Sequence, residues 1–136
     1  MTLGLKIVCG LYSALMAMLG ARWWFSFNDI AAEWVVQPLG AQGINNLLAD
    51  MGALFFGTAI MIALGLRRGQ SIWLLAAALL MAIAAAGRLF GYLTEGYVPE
   101  TLVSIIFEIV SCVLLVGTHL RMTKEMEPAL VENPGQ

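Results

Sequence analysis

The chain has 136 residues, 60% of them hydrophobic and 12% charged, with a formal net charge of −2. Soluble domains carry about a quarter charged residues, so an ordinary water-soluble domain is excluded and long apolar runs mark an integral membrane protein. The near-neutral balance and the lack of a basic stripe exclude a nucleic-acid partner.

The first apolar run spans about 3–25, with Lys6 placed to snorkel toward the headgroups. A cleaved signal peptide is the competing reading, but a cut after Ala21 would put the bulky Leu19 at the minus-three position. A retained helix is therefore expected. Gly10, Ser13, Ala14, Ala17 and Ala21 recur at helical spacing as a face of small residues suited to close packing.

The stretch Ser26–Asn46 reads as the one sizeable loop. Asn28 or Asp29 can cap a short helix through Val35, with Pro38 and Gly40 ending it. Trp23, Trp24 and Trp34 cluster here, and tryptophan favours the headgroup level. The segment is expected on the membrane surface, as an anchor or as the frame of a pocket mouth.

A second run spans 47–66, a third 72–93 and a fourth 102–120. Arg67-Arg68-Gly69-Gln70 joins the second to the third. Thr94–Glu100, broken by Gly96 and Pro99, joins the third to the fourth. Residues 123–136 are charged and contain two prolines, and read as a disordered cytoplasmic tail. The expected fold is thus all-α, an integral membrane four-helix bundle over 1–122 with a short interfacial helix between helices 1 and 2.

Lys6, Arg67, Arg68, Arg121 and Lys124 fall on the side of both termini. Asp29, Glu33, Glu95 and Glu100 fall opposite, where Arg22 is the one basic residue. The positive-inside rule then predicts cytoplasmic termini in an inner (plasma) membrane.

Three charges interrupt the apolar runs: Asp50, Arg88 and Glu108. A charge near the bilayer centre costs about 3 kcal/mol or more, and arginine there needs an anionic partner. All three belong to the outer leaflet. Ala77, Met81, Ala84, Ala85 and Arg88 share a face of the third helix, and Asp50, Ala53 and Gly57 one of the second. Thr101, Ser104, Glu108, Ser111 and Cys112 form a polar stripe on the fourth. A buried Asp50–Arg88–Glu108 cluster follows, in which Arg88 takes either acid or both. Tyr92, Ser104, Ser111, Trp23, Trp24 and Trp34 are the candidates to line a pocket beside it. Buried ion pairs also set helix register without further function.

Motifs for other chemistry are missing. His119 is the one histidine, too few for paired haem ligands or zinc. Cys9 and Cys112 form no Cys-x-x-Cys and read as packing residues. There is no Walker loop and no Gly-x-Ser-x-Gly elbow. Ser104 and Ser111 read as helix-to-helix hydrogen bonders, and the eight methionines as gap fillers. No metal or cofactor is expected.

The segments Ala49-Asp50-Met51-Gly52-Ala53 and Ala86-Gly87-Arg88-Leu89-Phe90-Gly91, followed by Glu95-Gly96 with Pro99 and then Glu108, carry a resemblance. They resemble a family of small four-span bacterial membrane proteins of unknown function, itself loosely similar to the DoxX-like group. The resemblance covers about 45–120, and Ala53 stands where the family usually has a second glycine. It implies four helices and marks Asp50, Arg88 and Glu108 as the polar positions. It carries no activity. The DoxX-like group points only by analogy to redox or quinone-associated complexes.

The leading expectation is a non-catalytic accessory or interaction subunit, partnered by the bilayer and by other membrane proteins or copies of itself. The alternative is a binder or carrier of a small molecule or lipid, open to proton coupling, with a polar pocket in the outer leaflet. An enzyme acting on a lipid through Glu108 is the least supported.

Overall fold

A computed structural model describes residues 2–96 and 99–132. Tyr97 and Val98 of the expected turn, and 133–136 of the expected tail, lie outside the described residues. Five helices follow in order: α1 (Thr2–Phe25), α2 (Phe27–Glu33), α3 (Gly40–Gly65), α4 (Ile72–Glu95) and α5 (Pro99–Glu132). No strand occurs among the described residues. The fold is all-α, a bundle of four long apolar helices with a short fifth.

Four of the helices are long and apolar enough to cross a membrane. The 24 residues of α4 reach about 36 Å at 1.5 Å per residue, more than a hydrocarbon core of about 30 Å. Their outer faces are as apolar as their inner ones: Leu11 on α1, Ile60 on α3, Phe90 on α4 and Val113 on α5 are all exposed. Such surface would drive aggregation in water and is what lipid covers. The chain is a multi-pass membrane protein by this measure.

The long helices pack as a ring, α1 on α3, α3 on α4, α4 on α5 and α5 back on α1. Two inter-helix contacts use a cysteine sulfur. Cys9 Sγ lies 3.4 Å from Thr118 Oγ1, tying α1 to α5, and Cys112 Sγ donates to the Ala78 carbonyl across α4–α5. At the α3–α4 turn, a Cβ on Gly65 would come within 2.9 Å of the Leu74 backbone nitrogen, so glycine lets the helices close there. His119 Nδ1 lies 3.0 Å from the Ser71 carbonyl and joins α5 to the start of α4.

Several expectations are corrected. Helix α3 begins at Gly40, not near Leu47. Hydropathy marks where a helix enters lipid, not where it starts, and Gly40–Asn46 is polar yet helical, with Gln42 Nε2 donating to Asn46 Oδ1 one turn on. Helix α5 runs to Glu132, ten residues or so into the expected tail. Arg121, Met122, Lys124, Glu125 and Met126 are good helix formers, so loss of hydrophobicity there is not loss of helix.

Helix α2 also ends earlier than Pro38 and Gly40 would dictate. Val35 adopts φ 54°, the left-handed conformation usually left to glycine. Val36 N donates to the Ala31 carbonyl and Val35 N to that of Ala32, which is a Schellman closure. Ser26, rather than Asn28 or Asp29, sits at the N-cap, without a side-chain capping bond. Ile30 and Ala31 are buried, so α2 packs onto the end of the bundle.

The tryptophans divide. Trp23 is fully buried, edge-on to Phe27 and Trp34, against the expectation of a headgroup position. Trp23 repeats with Cys9, Tyr12 and Met16 on the buried stripe of α1, and rotation about the helix axis, not residue type, decides its side. Trp24, one residue on, faces outward. Its Nε1 donates to the Leu48 carbonyl at 2.9 Å and its ring lies on Phe56. A Cβ on Gly52 would collide with the Trp24 indole.

Candidate binding pocket

The charged pair is made by α4 and α5. Arg88 Nε donates to Glu108 Oε1 at 2.7 Å. The Glu108 side chain is 7% exposed and that of Arg88 37%. Glu108 points inward because α5 turns its small and polar residues, Ser104, Glu108, Ser111 and Cys112, away from the lipid-facing Val110 and Val113. Counted from its helix ends, Glu108 lies about 13 Å in from Pro99 and Arg88 about 10 Å in from Glu95.

Asp50 does not join them. It is exposed and makes no ion pair with either residue. Its depth suits the cluster, about 15 Å from the start of α3. Its direction does not. At about 100° per residue Asp50 lies about 180° from Ala59, and Ala59, with Phe55 and Ile62, forms the buried side. Asp50, Ala53 and Gly57 do share a face, but it is the outer one. The expected three-residue cluster is therefore a pair, Arg88 with Glu108, of zero formal charge.

Beside the pair is a cavity of about 300 Å³, within the range of small-molecule sites. Arg88, Glu108 and Ser104 give its polar wall. Met16 and Leu19 of α1 face them, with Met51, Leu54 and Phe55 of α3. Met81 and Ala84 of α4, and Val103 and Phe107 of α5, complete the sides, and Trp34 closes from the α2 end. Trp34 is fixed edge-on to both Trp23 and Phe55, at 5.7 and 5.6 Å between ring centroids.

Of the pocket candidates read from the sequence, Ser104 and Trp34 line the cavity, whereas Tyr92, Ser111, Trp23 and Trp24 do not. Ser104 Oγ donates to the Glu100 carbonyl at 3.1 Å and Ser111 Oγ to that of Phe107 at 2.7 Å. Both hydroxyls thus bond within α5 instead of across helices, the usual recourse of a helical serine. Tyr12 Oη donates to Met81 Sδ at 3.2 Å and its ring meets Phe107 edge-on, bracing the cavity from behind. The apolar lining escaped the sequence reading because its leucines and methionines look like any others in a membrane helix. The spread of Met16, Met51 and Met81 over three helices is the one signal that could have raised it.

Two buried side-chain atoms among the described residues lack a hydrogen-bond partner, Trp23 Nε1 and the second oxygen of Glu108. An unsatisfied buried acceptor costs about 1–3 kcal/mol, more when charged. Among the described residues no group of three or more His, Cys, Asp or Glu converges as for a metal ion.

Comparison with protein-family models, with curated proteins and with solved structures finds no match to the chain.

Proposed function

We propose that the protein is an intramembrane binding protein for an amphipathic small molecule or lipid, held in the cavity between α1, α3, α4 and α5. One observation carries this reading: a cavity of about 300 Å³ between the helices, apolar except where the Arg88–Glu108 pair and Ser104 meet it. Apolar walls with a few polar groups at one end suit a molecule with a tail and a head.

The positive-inside arrangement supports a bacterial inner-membrane location with both termini cytoplasmic. The pocket then opens in the outer leaflet. The resemblance to small DoxX-like proteins fits that setting and adds no activity. Membrane-extracted protein should carry a co-purifying molecule near one per chain, read by native mass spectrometry. Ala84→Phe, which fills the cavity, should lose it while keeping the fold. Equal occupancy in both proteins would sink the reading.

A second reading, an accessory subunit or homo-oligomer, is favoured by Asp50. Its carboxylate lies on the outer face of α3 beside Ala53 and Gly57, where lipid offers no partner and another helix would. Binding a molecule and packing on a neighbour use opposite faces of α3, so one does not preclude the other.

A further inference from the structure

The cavity has a mouth, and exposure locates it. Met16, Phe55 and Met81 line the cavity yet are buried, so its inner surface alone gives a side chain little access. Two other lining residues stand open, Val103 at 68% and Phe107 at 43%. Their exposure therefore comes from outside the bundle. They lie one turn apart on α5, toward α1. Phe107 meets Tyr12 of α1 edge-on at 5.8 Å, and further along the same seam Thr118 meets Cys9. Val103 lies one turn beyond the Tyr12 contact, where Leu19 of α1 also lines the space.

This mouth is apolar and faces sideways. Both α1 and α5 are long and apolar enough to span a bilayer, so hydrocarbon lies outside their seam. The way in from the α2 end is closed by Trp34, set edge-on to Trp23 and Phe55. The polar part of the wall lies toward that end. Arg88 is about 10 Å from the end of α4 and Ser104 about 8 Å from the start of α5, whereas Met81 is about 21 Å down α4. An empty apolar space forfeits dispersion contacts with its lining, and water does not fill it.

We infer that the occupant is a hydrocarbon chain of a bilayer lipid, which enters sideways between α1 and α5 past Val103 and Phe107, with its polar end toward α2. This assignment rests on the cavity being a binding site. The cavity holds on the order of ten water-sized groups at about 30 Å³ each, the scale of one chain and not of a whole two-chain lipid. The unbranched side chains of Met16, Met51 and Met81 can adjust to that chain.

Trp34 lines the cavity and supplies a reporter. The full-length protein is placed in nanodiscs that mix plain phosphatidylcholine with one brominated on both acyl chains. The Trp34 signal is the difference between wild type and Trp34→Phe. It should be quenched by the brominated chains and hardly by acrylamide in the water. One chain in one site makes the quenching proportional to the brominated fraction, whereas an indole open to the bulk bilayer meets several chains and gives a steeper curve. Ala84→Phe, which fills the cavity, should lose most of the quenching. Val103→Phe, which narrows the mouth, should lower it. Val113→Phe, on an equally exposed valine of α5 away from the mouth, should not.

Stronger quenching by acrylamide than by brominated lipid would put the mouth on the water side and overturn the inference. A steep curve untouched by Ala84→Phe would leave the chains outside the bundle and overturn it equally, as would Val103→Phe and Val113→Phe acting alike. The binding reading is decided separately, by the co-purifying molecule. A bound molecule without brominated-chain quenching overturns the lipid chain alone, and the absence of both overturns the binding site as well. The wild-type curve decides even where a variant fails to fold.

Discussion

Two arginine–glutamate pairs are built on opposite principles. Arg22 meets Glu33 with both terminal nitrogens, 2.6 Å to one carboxylate oxygen and 3.0 Å to the other. Both oxygens are used, both side chains are open to solvent or headgroups, and the pair fastens α2 to the end of α1. Arg88 meets Glu108 through Nε alone, inside the bundle, and leaves the second oxygen bare. The exposed pair is complete where completeness contributes little, because water would satisfy either partner. The buried pair is incomplete where incompleteness is expensive. That contrast teaches that the inner pair is not arranged for stability alone.

Breaking the inner pair on one side should produce the largest effect. Arg88→Leu strands Glu108 in the bundle and should destabilise by about 3–5 kcal/mol, read as a drop in thermal midpoint and folded yield in mild detergent. Arg88→Leu/Glu108→Leu should recover most of that loss, since a well-packed apolar pair can replace a buried ionic one. A double variant no better than the single would mean the pair is structurally irreplaceable, and the contrast between the two sites would dissolve.

A smaller effect should come from the neighbourhood of the outer pair. Gly52→Ala pushes a methyl group into the Trp24 indole, whose Nε1 is held by the Leu48 carbonyl. Overpacking of this kind typically costs about 1–3 kcal/mol. Trp24→Ala in the same background should relieve the clash, and a double-mutant cycle on thermal midpoints measures the coupling.

The outer pair itself should respond to pH more than to deletion. The Arg22 hydrogen bonds hold the Glu33 carboxyl below its ordinary value of 4.5. A carboxylate lowered in the folded state contributes stability that is fully present above that ordinary value. The contribution is lost as pH falls through the lower folded value. Wild type and Glu33→Gln should therefore differ in thermal midpoint at neutral pH and converge below the ordinary carboxylate range. The difference should also shrink in high salt. Inner-pair variants should show no such salt dependence.

The smallest shift belongs to Val35, at φ 54° with nine-tenths of its surface exposed. Val35→Gly relieves the left-handed strain, worth about 1–2 kcal/mol, against the extra chain freedom glycine brings to the unfolded state. A net gain below about 1 kcal/mol is expected in chemical unfolding, and a loss would show that Val35 contributes through contacts instead.

What the sequence made legible divides along the same line. Long apolar runs placed the four spanning helices, because lipid imposes length and composition directly. The need of Arg88 for an acid was equally legible, and Glu108 was marked by the polar stripe around it. Asp50 was misplaced because spacing says which residues share a face, not which face turns inward. Trp23 was misplaced for the same reason. A helix that is apolar all round carries no amphipathic signal to set its rotation. The start of α3 was missed because Gln42, Asn45 and Asn46 are polar without being unhelical. Of the cavity wall, Arg88, Glu108, Ser104 and Trp34 were read in advance, whereas the apolar lining was not, since it depends on helix rotations that were unknown.

The most direct test of the central claim is the occupancy of the cavity in Arg88→Leu/Glu108→Leu, by native mass spectrometry of protein extracted from its own membrane. The account predicts a double variant that folds about as well as wild type and has lost the co-purifying molecule. A folded double variant that keeps the molecule at wild-type stoichiometry would contradict it.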